Sequence, residues 1–191
     1  MKIIYIFGPE GGYEDGEGLW SVEYKGENLN AFEGVLRDWQ DNKYVYAFCV
    51  EQLADIQKKF GHAIDPANAA NQLMDEADEL LGLLVRLAER HTFSAVLQHA
   101  FKPLNNFEPN VAVLQLSKAS AKTSKRRDPK LRIYAIRIGE NSYIVTGGAI
   151  KLTDKMQDRP HTQKQLARLK MVRDWLWNEG IFDPEDLKDL L

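Results

Sequence analysis

The chain has 191 residues, with 25 Lys+Arg against 28 Asp+Glu and a single cysteine. A hydrophobic share of 44% excludes a chain disordered as a whole; Cys49 alone excludes an internal disulfide framework and a cysteine-cluster zinc site; and no stretch approaches the roughly 18 uninterrupted apolar residues of a membrane span. The net charge of −3 argues against a general nucleic-acid binder, yet it hides an asymmetry, because residues 111–173 hold fifteen basic and four acidic side chains while the rest is acidic.

Ile3 to Phe7 is an apolar, β-branched and aromatic run closed by Gly8-Pro9, which predicts a strand at the start of the chain and not a signal peptide. Gly11 to Gly18 is rich in glycine and acid and reads as a loop. Its position after a strand invites a phosphate-loop reading, but no Gly-Lys-Ser/Thr follows, and Glu10, Glu14, Asp15 and Glu17 would repel a phosphate. Trp20, Val22 and Tyr24 alternate with polar residues and predict a half-buried strand. Phe32, Val35, Leu36 and Trp39 recur at helical spacing, and a second helix is expected over Val45 to Lys59, ending at Gly61. Asp65-Pro66 then opens a long helix with an apolar stripe of Leu73, Ala77, Leu80, Leu84 and Leu87, with Asp75, Glu76, Asp78 and Glu79 around the opposite side. Phe93 to Phe101 reads as a further helical stretch.

Beyond that point the chain changes character. Val111 to Leu116 is strand-like, and residues 117–130 form a small, polar, basic segment expected to be a mobile loop. Leu131 to Ile138 and Tyr143 to Leu152 predict an antiparallel hairpin around Gly139-Glu140-Asn141-Ser142. Thr162 and Gln165 fit a capping box that opens a helix running to Gly180, and Asp183-Pro184 suggests one last short helix. The organisation is a single α+β domain over 1–191: a small antiparallel-rich sheet, a helical insertion over 30–100 packed beside it, and a hairpin-plus-helix core over 131–180.

Several isolated residues carry no chemistry in this pattern. His91 and His99 on one helix would stand about 12 Å apart, too far to chelate one ion. Cys49, between Phe48 and Val50 and without a basic neighbour, reads as a buried inert thiol. Trp175 and Trp177 fit helix packing better than base stacking. The cationic cluster is different. Lys118, Lys122, Lys125, Arg126, Arg127 and Lys130 lead into a strand on which Arg132 and Tyr134 share one face and Arg137 takes the other. A hairpin pivoting near Glu140 brings Lys151 level with Leu131 and Arg132, and Lys155, Arg159 and His161 follow in the next connection. A charge run is commonly a solvated face, but fifteen basic residues against four in an acidic protein favour a polyanion, with RNA the leading choice.

The series Phe101-Lys102-Pro103-Leu104, then Leu131-Arg132-Ile133-Tyr134-Ala135-Ile136-Arg137-Ile138, then Tyr143 to Thr153 with Gly148-Ala149-Ile150-Lys151, then a helix rich in Lys and Arg, resembles the phage-derived branch of the RelE/HigB-like toxins. The resemblance covers about residues 101–180. It implies a RelE-like sheet-and-helix core and the activity of a small cytoplasmic mRNA endoribonuclease, working on the ribosome or on free RNA. The implied partner is a neutralising antitoxin of helix-turn-helix type, with no membrane association. Cleavage by the RNA's own 2′-hydroxyl needs a group to take that proton, a cation for the charge building on phosphorus and an acid for the leaving oxygen, and requires neither metal nor cofactor. On this reading Arg132 and Arg137 are candidate phosphate clamps, Lys151 stabilises the transition state or exchanges a proton, and His161 is the acid or base. Lys102, Lys118, Lys122, Lys125, Arg126, Arg127, Lys130, Tyr134 and Arg159 would bind the RNA. Two other readings compete: a non-catalytic binder of nucleic acid or protein on the same fold, and a basic segment that packs against the chain's own acidic helices.

Overall fold

The computed structural model describes residues 1–88, 97–105, 113–122 and 128–190. Within them lies an α+β fold built on one six-stranded mixed sheet. The strands are β1 (Lys2–Phe7), β2 (Gly18–Glu23), β3 (Phe101–Pro103), β4 (Gln115–Ala119), β5 (Leu131–Arg137) and β6 (Ser142–Ile150), in the spatial order β1-β2-β6-β5-β4-β3. Every neighbouring pair is antiparallel except β2 and β6. β5 and β6 form the expected hairpin, with Arg132 opposite Ala149 and Arg137 opposite Tyr143.

Helices cover both faces. A short turn, α1 (Gly12–Asp15), joins β1 to β2, where the sequence suggests only loop. α2 (Ala31–Gln40), α3 (Asn42–Glu51), α4 (Leu53–Phe60) and α5 (Pro66–Ala88) lie between β2 and β3 in the chain. They cover one face of the sheet instead of standing beside it, and their apolar sides bury Phe32, Cys49, Ile56, Leu73 and Leu80 against Leu131, Ile133 and Val145. The starts are capped as their sequences require: the Asn30 side chain accepts from Phe32 N and Glu33 N, the Asp41 side chain from Lys43 N and Tyr44 N, and the Asp65 side chain from Asn68 N. The single helix expected over Val45 to Lys59 is broken at Gln52, whose φ of −105° and ψ of 25° serve as the end of α3 and the start of α4.

The other face carries α6 (Pro160–Glu179), whose Leu169, Val172 and Leu176 bury against Trp20, Tyr134, Ile136 and Ile144. This helix starts at Pro160 and its first residue has no side-chain cap; Thr162 does not form the expected box but donates to the carbonyls of Met156 and Arg159 at 2.6 and 2.9 Å. Gly180, at φ 76°, ends it in the left-handed conformation that suits glycine. A 3₁₀ turn over Glu185–Leu190 follows Pro184.

Three more expectations are corrected. Leu97–His99 is a 3₁₀ turn and Phe101–Pro103 a strand, so the helix expected up to Phe101 is absent from the described part of that stretch. Ser117–Ala119 belongs to β4, so the basic segment over 117–130 begins as paired sheet, because backbone pairing with β3 and β5 outweighs the weak strand preference of Ser and Lys. Glu76 is not on the outer side of α5: it is 1% exposed, and its carboxylate accepts from Lys130 N at 3.0 Å and Leu131 N at 2.6 Å. No described helix is long and apolar enough to cross a membrane.

Candidate functional site

The α6 face of the sheet carries a row of cations. Lys102 on β3, Lys118 on β4 and Tyr134 on β5 are direct cross-strand neighbours. Like charges directly opposite each other destabilise a sheet, so the Lys102–Lys118 pair carries an energetic cost that an anion would relieve. Two residues along β5, Arg132 projects on the same side. β6 places Ala149 opposite Arg132 and Gly147 opposite Tyr134, and the Gln165 side chain packs on Gly147.

Beside Arg132 and Tyr134 lies a pocket of about 300 Å³. Lys118, Arg132, Tyr134, Lys151 and Lys155 line it together with Asp154 and Gln157, and Leu104, Met156 and Leu166 supply apolar wall. The Lys118 ammonium donates to Leu104 O at 3.0 Å, an Arg132 guanidinium N–H to Leu131 O at 2.8 Å, and the Lys151 ammonium to Asp154 O at 2.6 Å. Main-chain carbonyls thus hold Arg132 and Lys151 in place and leave their remaining donors pointed at the pocket.

The electrostatics follow from that crowding. Burial, reinforced by the Arg132 guanidinium, holds the Lys118 ammonium below the usual lysine range. The Lys151 ammonium is lowered by burial, then by Arg132 and Lys118, against the opposing pull of Asp154. Burial also lowers Arg132, which remains charged. Tyr134 is 1% exposed, and burial pushes its phenol up to about 12 even though Arg132 pulls the other way. Its hydroxyl therefore stays protonated, and it has no hydrogen-bond partner. The hydroxyl is thus a sealed, partnerless group whose one charged influence is Arg132.

Of the residues singled out from sequence, the structure brings Lys118, Arg132, Tyr134 and Lys151 together and sends others elsewhere. Arg137, five positions from Arg132 on an alternating strand, lies on the insertion face and hydrogen-bonds Tyr143. His161 sits on the first turn of α6 but on its far side, edge-on to Phe48 at 5.3 Å, with Nε2–H donating to Ile150 O at 2.9 Å. Arg159 pairs with Asp55 of α4 at 2.6 Å. Lys130 is folded onto Asp128 at 2.6 Å and over the Phe60 ring. Lys102 and Lys122 are exposed. Lys125, Arg126, Arg127 and His91 lie outside the described residues.

Lys155, Leu104, Met156 and Leu166 line the pocket without having been marked as site residues. Lys155 follows Lys151 by four positions in a basic connection, which is a usable signal; the apolar wall has none, because Leu and Met at such places are indistinguishable from core. Among the described residues no cluster of His, Cys, Asp and Glu is arranged to hold a metal ion. No family model matches the chain, and no curated protein or solved structure resembles it significantly.

Proposed function

We propose that the Lys118–Arg132–Lys151 pocket binds a phosphodiester of RNA, and that the chain is a RelE/HigB-like endoribonuclease toxin of a toxin–antitoxin pair. The observation that carries the reading is the grouping of these three cations, with Tyr134, around one pocket. Arg132 supplies a planar fork for two phosphoryl oxygens, and Lys118 and Lys151 neutralise the charge that grows on phosphorus as the 2′-oxygen attacks. Tyr134, held neutral, donates its hydroxyl hydrogen to a phosphoryl oxygen. Lys151, whose proton is loosened by burial and by Arg132, is the group best suited to exchange a proton with the 2′-hydroxyl or the leaving 5′-oxygen. The RNA would be cut in the cytoplasm, on the ribosome or free, and a helix-turn-helix antitoxin would hold the toxin inactive.

A second reading, binding without cleavage, is favoured by the position of His161, the natural neutral-pH acid or base, on the other side of α6 and bonded to Ile150 O. Expression of the wild type and of Lys151→Ala in a bacterial host, with cleavage of labelled mRNA by the purified proteins, tests both. The toxin reading expects growth arrest and RNA cleavage by the wild type and neither by the variant. RNA binding that weakens steeply with salt, without arrest or cleavage, assigns the binder instead; no arrest and no RNA binding overturns both.

A further inference from the structure

A cavity larger than the cationic pocket lies on the other side of α6 from it. It is a groove of about 490 Å³ between α2, α3 and the first turns of α6, floored by the end of β6. The groove exists because the sheet divides there. β2 pairs with β6 only as far as Val145, whereas β6 runs on to Ile150, so the side of residues 146–150 that faces away from β5 has no neighbouring strand.

That free edge is closed at both ends and open in the middle. Lys151 N–H bonds Lys130 O, so alternation turns the backbone groups of Gly148 and Ile150 away from β5. The Tyr24 hydroxyl donates to Thr146 O at 2.7 Å, and His161 Nε2–H donates to Ile150 O at 2.9 Å. Gly148 stands between these two clasps, half-buried in the groove, with Val35 and Trp39 packed on its Cα and with its N–H and C=O side by side, hydrogen-bonded to no described side chain or second strand. Backbone groups in such a place need a partner. A whole strand cannot add here, because strand addition uses a continuous edge and both flanking carbonyls are taken. A compact planar group with one acceptor next to one donor fits.

The walls narrow the chemistry. Tyr44 and Phe48, one turn apart on α3, line the groove with ring surface, and Tyr44 is 46% exposed. Across from them Lys164 is exposed and makes no ion pair with any described residue, while Arg168 lies over the Tyr24 ring at 4.3 Å and pairs with Glu27. The Gln165 Oε1 atom is buried in the same wall without a hydrogen-bond partner. Aromatic surface, an adjacent donor–acceptor pair and an unpaired ammonium at the rim are the three parts that recognise, respectively, the face of a nucleobase, its hydrogen-bonding edge and a phosphate.

We propose that this groove is a nucleotide-binding site separate from the cationic pocket: the Gly148 N–H and C=O read the edge of the base, Tyr44 and Phe48 cover its face, and Lys164 meets the phosphate. The site stands whether or not the cationic pocket cleaves RNA. The full-length ¹⁵N-labelled protein is titrated separately with AMP, GMP, CMP and UMP while the Gly148 amide signal is followed. At least one nucleotide is expected to shift that signal saturably, and Tyr44→Ala and Lys164→Ala, both solvent-facing substitutions, each to weaken binding at least fivefold. Lys118→Ala, in the other pocket, is expected to leave this titration unchanged. Four titrations that leave Gly148 unmoved overturn the proposal. So does saturation by ribose 5-phosphate alone, since the base is then not read, or loss of the shift in Lys118→Ala, which would put the nucleotide in the cationic pocket. Saturation by a capped tetrapeptide in place of the nucleotides would likewise overturn it and assign the groove to a peptide.

Discussion

β5 carries two arginines five residues apart, and the sheet gives them different surroundings. Arg132 faces α6, in a pocket shared with Lys118 and Lys151. Arg137 faces the insertion and is spent on Tyr143, itself stacked on Phe101 with ring centroids 4.3 Å apart. The insertion face also takes a buried carboxylate, Glu76, and uses it on two successive backbone N–H groups at the start of β5. One side of the strand is thus organised to hold the backbone in place, with Glu76 bonded to backbone N–H groups and Arg137 to Tyr143, although the buried Arg137 Nε has no partner. The other gathers Lys118, Arg132 and Lys151 around one pocket, beside the partnerless Tyr134 hydroxyl. Charge of the same sign on the same strand is structural on one face and available for a ligand on the other, so net charge alone is a poor guide to function.

The largest expected effect tests the structural face. Glu76→Ala leaves the Lys130 and Leu131 N–H groups without their acceptor in the interior, at a cost of about 3 kcal/mol, or roughly 6–12 °C in Tm for a chain of this size. Glu76→Gln keeps one acceptor oxygen and should lose clearly less. Thermal unfolding of the three proteins checks this, and equal Tm values would break the contrast between the faces. On the other side, Arg132→Ala should weaken binding of a single-stranded RNA by about 2 kcal/mol, near thirtyfold, and flatten its salt dependence. Arg137→Ala should leave that affinity within about twofold. Equal losses for both arginines would mean that RNA does not distinguish the two faces.

How far these faces can be read from sequence differs residue by residue. Arg132, Tyr134 and Lys151 are legible because a two-residue alternation and a hairpin pivot are local rules. Lys118 is legible as a candidate cation but not as a sheet residue, since Ser117-Lys118-Ala119 has the composition of a loop and becomes a strand only through its neighbours β3 and β5. Glu76 is hidden inside the run Asp75 to Glu79, where only the packing of α5 on β5 decides which carboxylate turns inward. The parallel pairing of β2 with β6 joins residues more than a hundred positions apart, and no local pattern announces it. The groove beside β6 is a consequence of that pairing and was equally out of reach. His161 shows the opposite failure: it lies in the basic segment, but from the first turn of α6 its ring turns to Ile150 O and Phe48 and away from the pocket.

A pH titration separates the faces next. Lys118 and Lys151 are both held below the ordinary value of 10.5 and so lose their protons earlier than free lysines as pH rises. Anion affinity should therefore fall as pH climbs towards that value, by up to about tenfold if one charge contact is lost. An oligodeoxynucleotide, which lacks the 2′-hydroxyl, keeps alkaline hydrolysis out of the measurement. A flat profile to pH 10.5 would remove the lysines from the site.

The smallest effect is the sharpest discriminator. In Tyr134→Phe the ring that packs beside Arg132 is retained and only the hydroxyl goes. That hydroxyl has no partner in the free protein, so its removal should leave stability unchanged or slightly raised, within about 1 kcal/mol. A hydroxyl kept in the interior for folding would instead lower Tm when deleted. If it is kept for an oxyanion, the cost appears only with the ligand: affinity for RNA, or for the oligodeoxynucleotide, should drop by about 1 kcal/mol, near fivefold, with Tm held. A loss of Tm without loss of affinity would place Tyr134 with Arg137 and Glu76 among the residues that build the sheet, and leave the three cations as the whole of the site.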